Sequence, residues 1–132
     1  HVKHFFAGDD ALDRLARIHR RRFDDAVRSC QQAAERDPDS AAIQSNLGLA
    51  LQSAGRTQEA LTHHELAVSL APSDPLTHTN YALALQSLGR PDEAIEHCRE
   101  ALRLDPRHAK AHVNLGLSLQ DKGRIDEAME HY

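Results

Sequence analysis

Asn46-Leu47-Gly48-Leu49-Ala50-Leu51-Gln52 returns after 34 residues as Asn80-Tyr81-Ala82-Leu83-Ala84-Leu85-Gln86. It returns once more as Asn114-Leu115-Gly116-Leu117-Ser118-Leu119-Gln120. The same interval separates Pro38, Pro72 and Pro106, then Gly55, Gly89 and Gly123, then Ala26, Ala60, Ala94 and Ala128. A period of this length is the mark of a stacked array, in which each repeat is one supersecondary unit. Within each unit the apolar spacing predicts two helices. The first spans about 41–54, 75–88 and 109–122; the second spans about 57–70, 91–104 and everything from 125 onward.

The punctuation between these helices has physical reasons. Gly55, Gly89 and Gly123 sit where a helix ends on a left-handed residue, which glycine adopts without a Cβ penalty. Thr57, Pro91 or Ile125 opens the next helix. Glu59, Asp92, Glu93, Asp126 and Glu127 follow in its first turn, where the helix dipole favours negative charge. Pro72 and Pro106 stop the second helix, because a proline pushes the preceding residue out of the helical region.

Composition agrees with an all-α chain. The 132 residues suit one domain, aromatics are 4%, and no alternating strands meet at an Asn-Gly or Asp-Gly turn. There are 16 basic and 20 acidic residues, a balance that argues against nucleic acid. Arg20-Arg21-Arg22 reads as a solvated turn. No apolar run approaches the ~20 residues of a membrane span, and no secretory leader opens the chain. A cytoplasmic location is expected. The chain begins at His1 without Met and stops at Tyr132 partway through a second-helix pattern, so it is expected to be part of a longer array. Cys30 and Cys98 hold equivalent core-facing positions two repeats apart, too far for a disulfide, and read as buried thiols.

The pattern resembles the tetratricopeptide repeat. With Ala41, Pro75 and Ala109 as first positions, the family's large–small pair falls on Leu47-Gly48, Tyr81-Ala82 and Leu115-Gly116. Its next large residue falls on Leu51, Leu85 and Leu119. Its second-helix small residues fall on Ala60 with Ala67, Ala94 with Ala101, and Ala128. Its closing proline falls on Pro72 and Pro106. The resemblance covers about 39–132 and implies an all-α, right-handed superhelical solenoid of antiparallel helix hairpins. Residues 1–132 then form a single array: a degenerate first repeat at 7–40, repeats at 41–74 and 75–108, and a truncated one at 109–132. In the first unit Leu12, Leu15 and Ile18 are out of phase, and Arg21 holds the glycine site.

In that family the first helices line a concave groove. The resemblance places Asn46, Asn80 and Asn114 in it, with Leu49, Leu83 and Leu117 and with Gln52, Gln86 and Gln120. Ala42, Leu76, Lys110, Ser45, Thr79 and Val113 flank them. An amide offers both a donor and an acceptor, so a ladder of asparagines could pair with the backbone of an extended peptide. The alternative is that the asparagines bridge neighbouring helices, and the glutamines read as exposed filler. The ladder resembles the superhelical arm of O-linked N-acetylglucosamine transferases, where such asparagines hold substrate backbone. It departs from the chaperone-binding members, whose lysine and arginine clamp is reduced here to Lys110.

Of the ten histidines, His108 and His112 stand at i,i+4 and could chelate, but His108 sits at a helix entry. His63, His97 and His131 share one phase and His78 and His112 another, each one repeat apart, ~10 Å, against ligand bonds near ~2 Å. They read as half-exposed packing residues, so no metal and no cofactor is expected. No nucleophile elbow or phosphate loop occurs. The sequence therefore points to a non-enzymatic module that binds a protein or peptide. Its alternatives are self-association through the open ends of the array, or service as the substrate-recognition arm of a larger glycosyltransferase.

Overall fold

The computed structural model describes the backbone of residues 2–130 and the side chains of residues 10–130. Among these residues every regular element is helical: α1 Val2–Arg36, α2 Ala41–Ser53, α3 Thr57–Leu70, α4 Pro75–Ser87, α5 Pro91–Leu104 and α6 Ala109–Glu130. Each helix packs against the next, and α4 also touches α2 and α6. The first helices of successive repeats therefore share one wall of a hairpin stack.

The two complete hairpins turn as their glycines require. Gly55 and Gly89 adopt φ of 78° and 72°, and the amides of Arg56 and Arg90 donate back to the carbonyls of Leu51 and Leu85 at 2.8 and 2.9 Å. These bonds satisfy carbonyls that a helix end would leave bare. Ser40 and Asp74 cap α2 and α4 by accepting from the amides of Ile43 and Leu76. Pro75 and Pro91 each occupy a first helical position, where no amide is needed.

A second device recurs once per repeat. Three residues on the first helices reach back to the proline carbonyl of the preceding loop. Gln44 Nε2 donates to Pro38 at 3.2 Å, and His78 Nε2 and His112 Nε2 donate to Pro72 and Pro106 at 2.8 Å. In the first two of these repeats the side chain also ties to the second helix. His63 Nδ1 donates to Gln44 Oε1 at 2.9 Å, and His97 Nδ1 donates to His78 Nδ1 at 3.1 Å. The reading of the histidines as half-exposed packing residues holds for His63 and His97 but is corrected for the first-helix pair: His112 is exposed and His78 is buried. His78 is 5% exposed, and it staples a loop and two helices together. His131 lies outside the described side chains.

The core comes in slices. One is built from Val27, Leu47, Leu51 and Ala60, and the next from Leu61, Tyr81, Ala82, Leu85, Ala94 and Cys98. Burying a leucine such as Leu85 contributes about 1.5–3 kcal/mol. Cys98 is fully buried, as its phase implies, and burial pushes its thiol up to about 11. Cys30 is only half-buried, and both cysteines are free.

Two hairpins implied by the repeat do not form. The degenerate first unit is one unbroken helix, α1. At Arg21 a left-handed turn would cost about 1–2 kcal/mol, and nothing in Arg20-Arg21-Arg22 stops a helix. At the other end α6 runs through Gly123 without reversing. Glycine permits a turn but does not compel one. A reversal is stabilised by what the returning helix buries, and α3 and α5 each supply 14 residues for that. The described residues beyond Gly123 bring only Ile125, Ala128 and Met129, and continuing the helix makes backbone bonds at once.

Candidate peptide-binding groove

The shared wall of α2, α4 and α6 carries the same three positions in each helix, spaced i, i+4 and i+7 along one face. These are Ala42, Asn46 and Leu49 on α2, then Leu76, Asn80 and Leu83 on α4, then Lys110, Asn114 and Leu117 on α6. A cavity of about 160 Å³ opens between the first two helices. Asn46, Leu49, Leu76 and Asn80 line it, with Asp74 and with Lys110 from α6. Ser45 and Thr77 add hydroxyls to the lining, and the wall presents open leucines: Leu76 is 41% exposed, Leu83 36% and Leu117 43%.

The asparagines differ in burial. Asn46 is exposed, Asn114 half-buried and Asn80 only 7% exposed. Among the described residues none of the three makes a side-chain hydrogen bond, so none bridges neighbouring helices. Although Asn80 is nearly buried as a residue, neither atom of its amide is wholly shut off from solvent, so the group stays within reach of a ligand or of water. Asn46 and Asn80 meet at one cavity. Asn114, Leu83 and Leu117 share the face but do not line that cavity.

The glutamines divide. Gln120 is exposed. Gln86 Nε2 donates to Asp121 at 3.3 Å and ties α4 to α6. Gln52 Oε1 accepts from His64 Nε2 at 2.6 Å. Gln52 is thus not surface filler: it satisfies a histidine with 0% exposure. Burial pulls His64 down to about 4, helped by the neighbouring His63, and its Nδ1 has no partner. The only signal for this pair in the sequence was the unusually small Gly48. An added Cβ there would stand 2.6 Å from the His64 ring.

Lys110 has no carboxylate partner among the described residues. Asp74, the cap of α4, turns one flank of the same cavity acidic. The chemistry on offer is amide donors and acceptors, one cation, one carboxylate and apolar contact, in an open wall with no enclosed reaction chamber. Among the described residues no three His, Cys, Asp or Glu side chains gather to hold a metal, and no helix is long and apolar enough to cross a membrane.

A family model described as Tetratricopeptide repeat matches residues 9–75 and 81–132. The chain belongs to the tetratricopeptide repeat family. No curated protein matches it significantly by sequence. Among solved structures, this tetratricopeptide repeat chain is similar to MamA, at 27% identity and a TM-score of 0.70. That match covers 82% of this chain and 59% of MamA. It is similar to the first such domain of human RPAP3, at 21% identity and a TM-score of 0.75, covering 80% and 83% of the two chains. An O-GlcNAc transferase of Thermobaculum terrenum matches at 27% identity with a TM-score of 0.69, over 76% of this chain and 19% of the transferase. The chain thus spans little more than half of MamA and about a fifth of the transferase.

Proposed function

We propose that the chain is a protein-interaction module that holds an extended polypeptide along the α2–α4–α6 wall. The observation that carries this reading is the pair of unbonded amides, Asn46 and Asn80, at one cavity of a wall that also presents exposed leucines. Amides at repeat spacing would bind peptide groups of the ligand's backbone, and the exposed leucines would take its apolar side chains. Sequence preference would be broad, because only Lys110 and Asp74 bring charge to the cavity. A domain of the same fold, the first repeat domain of Spaghetti, is known bound to the HSP90 peptide SRMEEVD. It is 22% identical to this chain with a TM-score of 0.72, over 77% of this chain and 81% of that one. That supports a peptide ligand for a wall of this shape.

The likeness to the O-GlcNAc transferase region favours a second form of the same reading. In it the module presents substrate proteins to a catalytic domain elsewhere in a longer polypeptide. The module itself takes no catalytic role in either form.

The experiment selects binders from a random peptide library displayed on phage, then titrates them by calorimetry against the native chain and against Asn46→Ala/Asn80→Ala/Asn114→Ala. The triple variant is expected to keep its helical circular dichroism and to lose about tenfold or more in affinity, roughly 1.4 kcal/mol. Unchanged affinity would remove the amides from the mechanism.

A further inference from the structure

Histidines of like phase stand one repeat apart, but the hairpin brings unlike phases together. Residues 19 apart face each other across each complete hairpin: Gln44 with His63 between α2 and α3, and His78 with His97 between α4 and α5. In the first pair an amide oxygen meets a ring nitrogen at 2.9 Å. In the second, two ring nitrogens meet, His78 Nδ1 and His97 Nδ1, at 3.1 Å.

The surroundings hold both rings of the second pair in place. The Pro72 carbonyl can only accept, so His78 Nε2, 2.8 Å away, carries that ring's proton and leaves a lone pair on Nδ1. A metal-ligating histidine is commonly oriented in this way, by a backbone carbonyl on its other nitrogen. Tyr81 packs on the His97 ring at a centroid distance of 4.6 Å. The two imidazole planes differ by 25°, so both Nδ1 atoms point close to one plane. Two nitrogens bound to one zinc ion at ~2.0–2.1 Å stand ~3.3 Å apart at the tetrahedral angle. The observed gap is close to that, and a small turn of the half-buried His97 ring supplies the remainder.

The local field suits a cation. Glu93, Glu96 and Glu100 lie within electrostatic reach of His97, and Glu100 of His78 as well. Arg90 and Arg103 pair with Glu93 and Glu100. Glu96 has no ion pair among the described residues.

We infer that His78 and His97 form a two-histidine site for a divalent transition-metal ion of the kind imidazole prefers, with zinc as the reference case. The ion takes the place of the proton that His97 Nδ1 donates to His78. That proton moves to His97 Nε2, so both rings stay neutral. Water completes the shell on the open side of His97, because among the described residues no third ligand stands in position. The bound ion ties α4 to α5 within one repeat. The site uses none of the groove asparagines or leucines, and it stands or falls separately from peptide binding.

The preceding repeat supplies the control. His78→Gln copies Gln44, which bonds both its proline carbonyl and its second-helix histidine, so the staple is kept while one ligand is lost. Zinc chloride is titrated by calorimetry, near neutral pH, into the native chain, His78→Gln, His97→Gln and His108→Gln/His112→Gln. Thermal melts are run with and without zinc. The native chain is expected to bind one ion that His78→Gln and His97→Gln each bind at least about tenfold more weakly, the loss that a missing outer-shell partner already brings. Zinc should raise the melting temperature of the native chain and of His108→Gln/His112→Gln, and leave the other two variants unchanged. Without zinc, His78→Gln should melt close to the native chain. If it fails to fold, His97→Gln decides alone, since that ring is only half-buried. A native chain that binds no zinc overturns the inference. So does binding that survives the loss of His97, or that disappears with His108 and His112, because the ion would then sit on other histidines.

Discussion

At position 48 a methyl group would collide with the His64 ring, and that ring is held in place by Gln52. The equivalent pair one repeat later is Ala82 with Cys98, both buried. A larger first-helix residue there goes with a smaller second-helix residue, which keeps the interhelical volume filled. Gly48→Ala is therefore expected to destabilise the fold by about 1–3 kcal/mol. Gly48→Ala/His64→Cys, which copies the next repeat, should recover most of that loss in urea titrations. His64 also makes stability depend on pH. Its folded pKa of about 4 lies below the ordinary histidine value, so the unfolded chain binds the proton more readily. Stability is then full above about pH 6.5 and falls as the pH drops toward 4, by up to about 3 kcal/mol. His63 and His97, pulled down chiefly by burial, add in the same direction. Urea titrations of wild type and of His64→Cys at several pH values would separate the His64 share, which the substitution removes.

Three glycines at equivalent positions sit in two kinds of element. Gly55 and Gly89 hold left-handed turns, whereas Gly123 lies inside α6 with no neighbouring atom in the way of a Cβ. Alanine should thus act with opposite signs. Gly55→Ala is expected to cost about 1–2 kcal/mol through its strained backbone. Gly123→Ala should stabilise α6 by roughly 1 kcal/mol, because glycine is that much poorer than alanine in a helix interior. Thermal melts followed at 222 nm would show the contrast. A destabilising Gly123→Ala would mean that the chain reverses there in solution. The same comparison marks what was legible. The turns at Gly55 and Gly89 were readable from each glycine together with the full helix after it, which carries alanines at the packing positions. The straight run through Gly123 was not, since its local sequence looks the same.

Across the whole molecule, the groove presents leucines and amides and little charge. Added salt should therefore weaken peptide binding little, because screening acts on charges and the groove carries few. Calorimetric titrations at low and high salt check this. A groove affinity that collapses in salt would shift the recognition onto Lys110 and Asp74. The groove face itself was readable from the periodic asparagines. Their separate surroundings, with Asn80 enclosed and Asn46 open, were not, because burial depends on the neighbouring helix.

The 34-residue period alone dictated helices α2 to α5, their glycine turns, their proline stops and the rows of core alanines and leucines. Those features depend on φ preferences and on residues a turn or so apart, and such short-range interactions are written in the chain's order. Tertiary structure alone decided that α6 stays straight, that His78 staples a proline carbonyl, and that Gln52 serves His64. Each of these is settled by what a distant segment buries or bonds, a free energy that no local stretch contains.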